Sequence, residues 1–236
     1  MQPDDVLGVL FAVGLIGGVF VWAGVSTARA RKRAAERMTA MSGYAVQREW
    51  GFVPSDPTLV GRFAGPPFGR GQGQAANNVF RGRHEGREFL AFDHEFTTTS
   101  GSGKSRSTKH HFYSVVVLTL GLPTPGLSVV PTTTFGWLVN AVTGRDVEVG
   151  DLLFDQTFTV SSPSADFARD LLGPDVVQVA LHHPELAWRF EGGAMLVIRE
   201  GQHSPQEVEA KLHFMDAVLD RVPEHVRARL LQEPPR

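Results

Sequence analysis

The chain contains no cysteine. Disulfides, zinc–cysteine sites, iron–sulfur clusters and thiol catalysis are therefore excluded. The absence leaves the compartment open, because exported domains can also lack cysteine. Lysine is scarce, four residues against nineteen arginines, a bias that reads as GC-rich coding rather than a binding signal. Neither sign of charge dominates. The formal net charge of −2 gives no general electrostatic reason to bind nucleic acid. The motifs G-x-S-x-G, H-E-x-x-H and G-x-G-x-x-G are also missing, which removes the commonest hydrolase, metalloprotease and dinucleotide signatures.

What is present is an uncharged run. Residues 6–25, VLGVLFAVGLIGGVFVWAGV, carry no charge and no proline. Twenty residues at a helical rise of about 1.5 Å span roughly 30 Å, the thickness of a bilayer's hydrocarbon core. The flank before it, Met1-Gln2-Pro3-Asp4-Asp5, is acidic, whereas a secretory signal needs a basic one. The run is expected to be a transmembrane helix. Arg29, Arg31, Lys32, Arg33 and Arg37 follow it and no basic residue precedes it. The positive-inside rule then places the N-terminus outside and the rest of the chain in the cytoplasm, at the plasma membrane. The lipid bilayer is thus the first expected partner, with anionic headgroups able to contact the basic cluster. Gly14 and Gly18 form a G-x-x-x-G pair through which two copies could associate as a homo-oligomer.

About 180 residues remain, enough for one domain with a proper core. With 42% hydrophobic and 20% charged residues the chain is globular in composition. The organisation expected is an anchor over 1–27, a membrane-proximal helix over 28–50 stopped by Gly51, and a cytoplasmic domain over 51–236. Prolines 54, 57, 66 and 67 mark a loop with a short turn at Pro57–Phe63. Strands are expected at 78–83 and 87–96 around His84-Glu85-Gly86, with a polar loop over 97–109. A third, central strand is expected at 111–120. Further on, a short strand at 127–130, a helix at 134–142 and an alternating strand at Phe154–Val160 are expected. Helices at 166–172 and 175–181 flank Gly173-Pro174, and a hairpin joins 187–190 to 195–199. The last helix is the best signalled. Ser204, Pro205 and Glu207 compose a capping box, and Val208, Leu212, Met215, Leu219 and Val222 make one apolar stripe. Hairpin blocks with helices between them give an α+β fold: an N-terminal transmembrane helix, then one mainly antiparallel sheet domain with helices packed on it.

Three groupings invite chemistry. Gly101-Ser102-Gly103-Lys104-Ser105 resembles the end of a phosphate-binding loop, but Thr98 stands where that motif needs glycine, and both neighbours read as strands. His94, with Asp93, His110 and His111, is the one cluster in the sequence that could bind a metal or act as an acid–base group. However, adjacent His110 and His111 must point to opposite faces of a strand. Asp93 and Glu95 share a strand face and read as a solvated surface. No catalytic, cofactor or metal residue is assigned on this basis.

The segment LFDQTFTVSSPSADFARDLLGPDVVQVAL, residues 153–181, resembles the strand-then-helix core of an uncharacterised bacterial membrane-protein family, domain of unknown function 3137. Phe154, Phe158, Leu171, Leu172 and Pro174 carry the likeness, and FDHEFTTTSGSG at 92–103 adds to it. The chain looks like actinobacterial membrane-anchored proteins of that kind. The resemblance implies structure only and supplies no catalytic residue. The leading expectation is a membrane-tethered cytoplasmic binding or scaffold module with an unidentified protein partner, its contacts made by loop 97–109 and the sheet rim. The alternatives are an enzyme, such as a hydrolase, working near His94 and His110, and a structural membrane subunit that self-associates through its helix.

Overall fold

A computed structural model describes residues 32–101, 105–133 and 145–232. The expected transmembrane run, the Gly14/Gly18 pair, Arg29, Arg31, Lys104 and the expected helix at 134–142 lie outside the described residues. Among the described residues no helix is long and apolar enough to cross a membrane. The chain divides into two compact units, 1–43 and 44–236. Residues 32–47 are helical (α1), and in the first unit Lys32 and Glu36 form an exposed i,i+4 ion pair at 3.9 Å.

Among the described residues, the second unit is built on one nine-stranded sheet whose strands all pair antiparallel. The strands are β1 Gly51–Ser55, β2 Gln72–His84, β3 Arg87–Ser100, β4 Ser107–Thr119, β5 Leu127–Pro131, β6 Arg145–Asp146, β7 Phe158–Ser162, β8 Ala187–Glu191 and β9 Ala194–Glu200, in the order β1-β2-β3-β4-β9-β8-β5-β7-β6. The helices are α2 Leu152–Thr157, α3 Ala165–Leu171, α4 Pro174–Leu181, α5 Pro205–Asp220 and α6 Glu224–Gln232. The α+β class and the antiparallel sheet are as expected, and β4 is central.

Three local expectations need correction. Gly51 begins a strand instead of merely ending a helix; α1 stops at 47, and Glu49 takes a positive φ of 57° before β1. The strands flanking the polar loop run much further into it, to Ser100 and from Ser107. Cross-strand pairs such as Thr99 with Thr108 continue the ladder there, so side-chain polarity did not limit pairing. Phe154–Val160 is not one strand. Asp151 accepts a hydrogen bond from the Phe154 amide at 2.9 Å and opens α2, which gives way to β7 at Phe158. A four-residue Phe154–Phe158 interval fits one helix face as well as alternate strand positions, and the aspartate cap decides for the helix.

The sheet is covered on both faces. On one, which we call the helical face, α5 packs against β4 and β9 and against α4. Its Val208, Leu212 and Met215 are fully buried, so the apolar stripe is core, and both halves of the Ser204/Glu207 capping box form. On the other, the loop face, Leu59, Phe68 and Phe63 pack over Leu90, Phe92, Phe96, Val115 and Val117. Arg189 of β8 fastens that covering segment. Its guanidinium donates to the carbonyls of Ala64 at 2.7 Å and Pro66 at 3.1 Å, and pairs with Glu191 at 2.8 Å.

Candidate functional site

The expected histidine cluster is dispersed. His94 lies on the loop face, buried against Phe68 and Phe96. Burial, only partly offset by a hydrogen bond to the Pro67 carbonyl, lowers its pKa from 6.5 to about 4. His110 is exposed and pairs with Glu95 at 3.0 Å on the helical face. His111 returns to the loop face, stacked on Phe96 and bonded to Thr98 at 2.9 Å. His94 and His110 therefore occupy opposite faces of the sheet and cannot act on one substrate. The residues that follow Gly101–Ser105 in sequence form strand β4, not the helix a phosphate loop requires.

Asp93 is not on a solvated surface, although it does share a face with Glu95. It is fully buried. Its carboxylate accepts from the His203 backbone N–H at 2.8 Å and from Asn78 Nδ2 at 2.7 Å, with His203 Nδ1 3.1 Å away. His203 Nε2 bonds the Asn78 carbonyl at 3.1 Å. Asn78 sits in a register irregularity of β2 with φ of 51°, which turns both its groups toward this network. Asp93 and His203 are both closed off from solvent. The network ties β2 and β3 to the start of α5, where unpaired buried polar groups would be costly.

Access opens instead at the end of the sheet that carries the β2–β3 turn. On the loop face, β2 projects Arg81 and Arg83 across from Leu90 and Glu88 of β3. Together with Arg62, Phe89, Val117 and Thr119 they line a cleft of about 450 Å³, within the usual range for a ligand site. The floor is apolar: Leu90 and Val117 are 8% and 6% exposed. The rim is cationic. Arg81 pairs with Asp56, whose pKa is lowered to about 2, first by the Thr58 hydroxyl and then by Arg81. Arg62 lies over the Phe63 ring at 5.6 Å. Glu88 stands directly opposite Arg83 in the register and tempers the rim charge. At the same end, on the helical face, Leu120, Leu122, Leu171, Phe190, Leu219 and Val222 line a smaller apolar cavity of about 120 Å³, with Arg87 and Arg227 among its walls.

No family model matches the chain, and neither does any curated protein. The fold is similar to that in the crystal structure of the mycobacterial trehalose monomycolate transport factor A, TtfA. The TM-score is 0.58 at 15% identity, over 78% of this chain and 94% of that one. At that identity the likeness is one of fold alone.

None of the cleft residues was singled out from the sequence. Arg81 and Arg83 alternate along β2 and so share a face, which the strand period makes legible. Arg62 comes from a separate loop and carries no local signal that it would join them.

Proposed function

We propose that this protein is a membrane-tethered binding module whose Arg62/Arg81/Arg83 cleft takes an anionic amphiphile. Residues 6–25 hold it in the plasma membrane, with the domain on the cytoplasmic side. The observation that carries the reading is a cationic rim over an apolar floor. Guanidinium groups match phosphate or carboxylate in a bidentate manner, while Leu90 and Val117 offer surface to an acyl chain. The similarly folded TtfA is a trehalose monomycolate transport factor, and a role for this chain in binding an amphiphile is in keeping with that likeness. A protein partner that receives or delivers the ligand fits the same reading. Ser100 and Ser107 end β3 and begin β4 away from the cleft, so a partner that docks on those strand ends would find separate surfaces for docking and for exchange.

The test uses the full chain and two short-chain probes, dihexanoyl phosphatidate and dihexanoyl phosphatidylcholine. The phosphatidate is expected to bind saturably and at least about tenfold more tightly, and Arg62→Gln/Arg83→Gln, which puts no second carboxylate opposite Glu88, is expected to abolish the difference without lowering Tm. Equal affinity for the two probes, or an unchanged preference in the double variant, overturns the reading.

A further inference from the structure

His84, His213 and Asp216 bring two imidazoles and a carboxylate together on the helical face, away from the arginine-rimmed cleft. One donor atom from each lies within 4.8 Å of the other two. His213 and Asp216 are three residues apart on α5, hence on one side of that helix. His84 is the last residue of β2 and meets them from the sheet. Its Nε2 is 2.5 Å from Asp216 Oδ2, and its ring stands edge-on to His213 with centroids 5.4 Å apart.

We infer that these three residues form a binding site for a divalent transition-metal ion of the zinc type. Metal–nitrogen and metal–oxygen bonds of about 2.0–2.2 Å put two donors of one ion roughly 3.3–4.2 Å apart. The observed spread needs side-chain adjustments of under about 1 Å to close, and His213 is exposed and able to make them. Two imidazoles with one carboxylate suit zinc, nickel or cobalt and are a poor set for calcium or magnesium, which prefer oxygen alone. Asp216 Oδ1 is buried and accepts no hydrogen bond, while the other carboxylate oxygen faces His84. The opposing charge is Arg87, whose Nη1 is 3.6 Å from Oδ1. Its side chain is 38% exposed, and it can turn outward as the ion arrives. Three protein donors leave at least one coordination position open to water or to a ligand atom.

The site spans the β2–β3 turn and the middle of α5, so occupancy would join two elements now linked by hydrogen bonds, and a bound ion would raise stability by mass action. The experiment is a zinc titration of the full chain against a competing chromophoric chelator, with thermal unfolding followed in parallel. One zinc per chain is expected, unaffected by excess magnesium or calcium, with a rise in Tm. His213→Ala removes an exposed ring and leaves the fold intact; it and His84→Gln are each expected to weaken binding at least about tenfold and to abolish the Tm rise. No saturable binding below about 100 μM zinc, or binding of equal strength in both variants, with the ion held by other histidines, overturns the inference.

Discussion

Lys211 Nζ donates to Ser114 Oγ at 2.5 Å, joining the middle of α5 to the central strand β4 with both residues buried. Burial, and then repulsion from Arg199, lowers the lysine pKa from 10.5 to about 8. Between those values the unfolded chain holds more protons than the folded one, so stability falls as pH drops from about 10.5 to about 8 and is level below. Lys211→Met removes the buried charge while keeping the stem's packing. It leaves one serine hydroxyl unpaired, a loss of about 1 kcal/mol, against a lysine desolvation cost of about 3 kcal/mol. Urea unfolding should find the variant about 1–2 kcal/mol more stable at pH 7 and without the alkaline rise. A variant less stable than wild type at pH 7 would contradict this account.

His94 gives the acid limb. Its folded pKa of about 4 lies below the ordinary 6.5, so the stability present above pH 6.5 is lost as pH falls toward 4, when the unfolded chain takes the proton first. Replacing it by glutamine, which can keep the bond to the Pro67 carbonyl, should flatten that limb by about 2 kcal/mol relative to wild type. Parallel acid-unfolding curves for the two proteins would refute it.

The readable parts of the fold are those whose determinants are close in sequence. The Ser204/Glu207 box and the stripe from Val208 to Val222 specify α5 within nineteen residues, and Gly192-Gly193 specify the β8–β9 turn. Phe154–Val160 is ambiguous in sequence because its spacing satisfies two periods, and only the Asp151 side chain separates them. Asp93 looked solvated because its partner His203 is 110 residues away, beyond any local pattern. His84 and Asp216 are separated by 132 residues, so no local pattern joins them, and the three-residue spacing that puts His213 and Asp216 on one side of α5 does not by itself mark a site.

Gly71 should be intolerant of any side chain. Its φ is 63°, and a Cβ there would lie 2.3 Å from the Thr97 carbonyl oxygen and 2.6 Å from the Phe96 ring. The carbonyl belongs to β3, so it cannot yield without disturbing the ladder. Gly71→Ala should cost at least about 2 kcal/mol, whereas Gly69→Ala, also at positive φ but with nothing within 4 Å of its Cβ, should cost about 1 kcal/mol. Equal losses in thermal unfolding would mean that backbone conformation alone, not the close approach to β3, sets the cost at Gly71.

The proposed address rests on charge asymmetry around residues 6–25 and is tested separately from any ligand. A fluorescent protein fused after Arg236 folds and fluoresces in the cytoplasm but not after export in unfolded form, whereas alkaline phosphatase at the same position is active only outside, where its disulfides form. Fluorescence with an inactive phosphatase is expected for the full chain. Exchanging the asymmetry should invert the result: lysines in place of Asp4 and Asp5, with Arg29, Arg31, Lys32 and Arg33 made neutral, leave the positive excess before the span. Deleting residues 1–27 should release the domain from the membrane fraction. Persistence there would mean that the basic cluster or the domain itself holds lipid, and that the apolar run is not the principal tether.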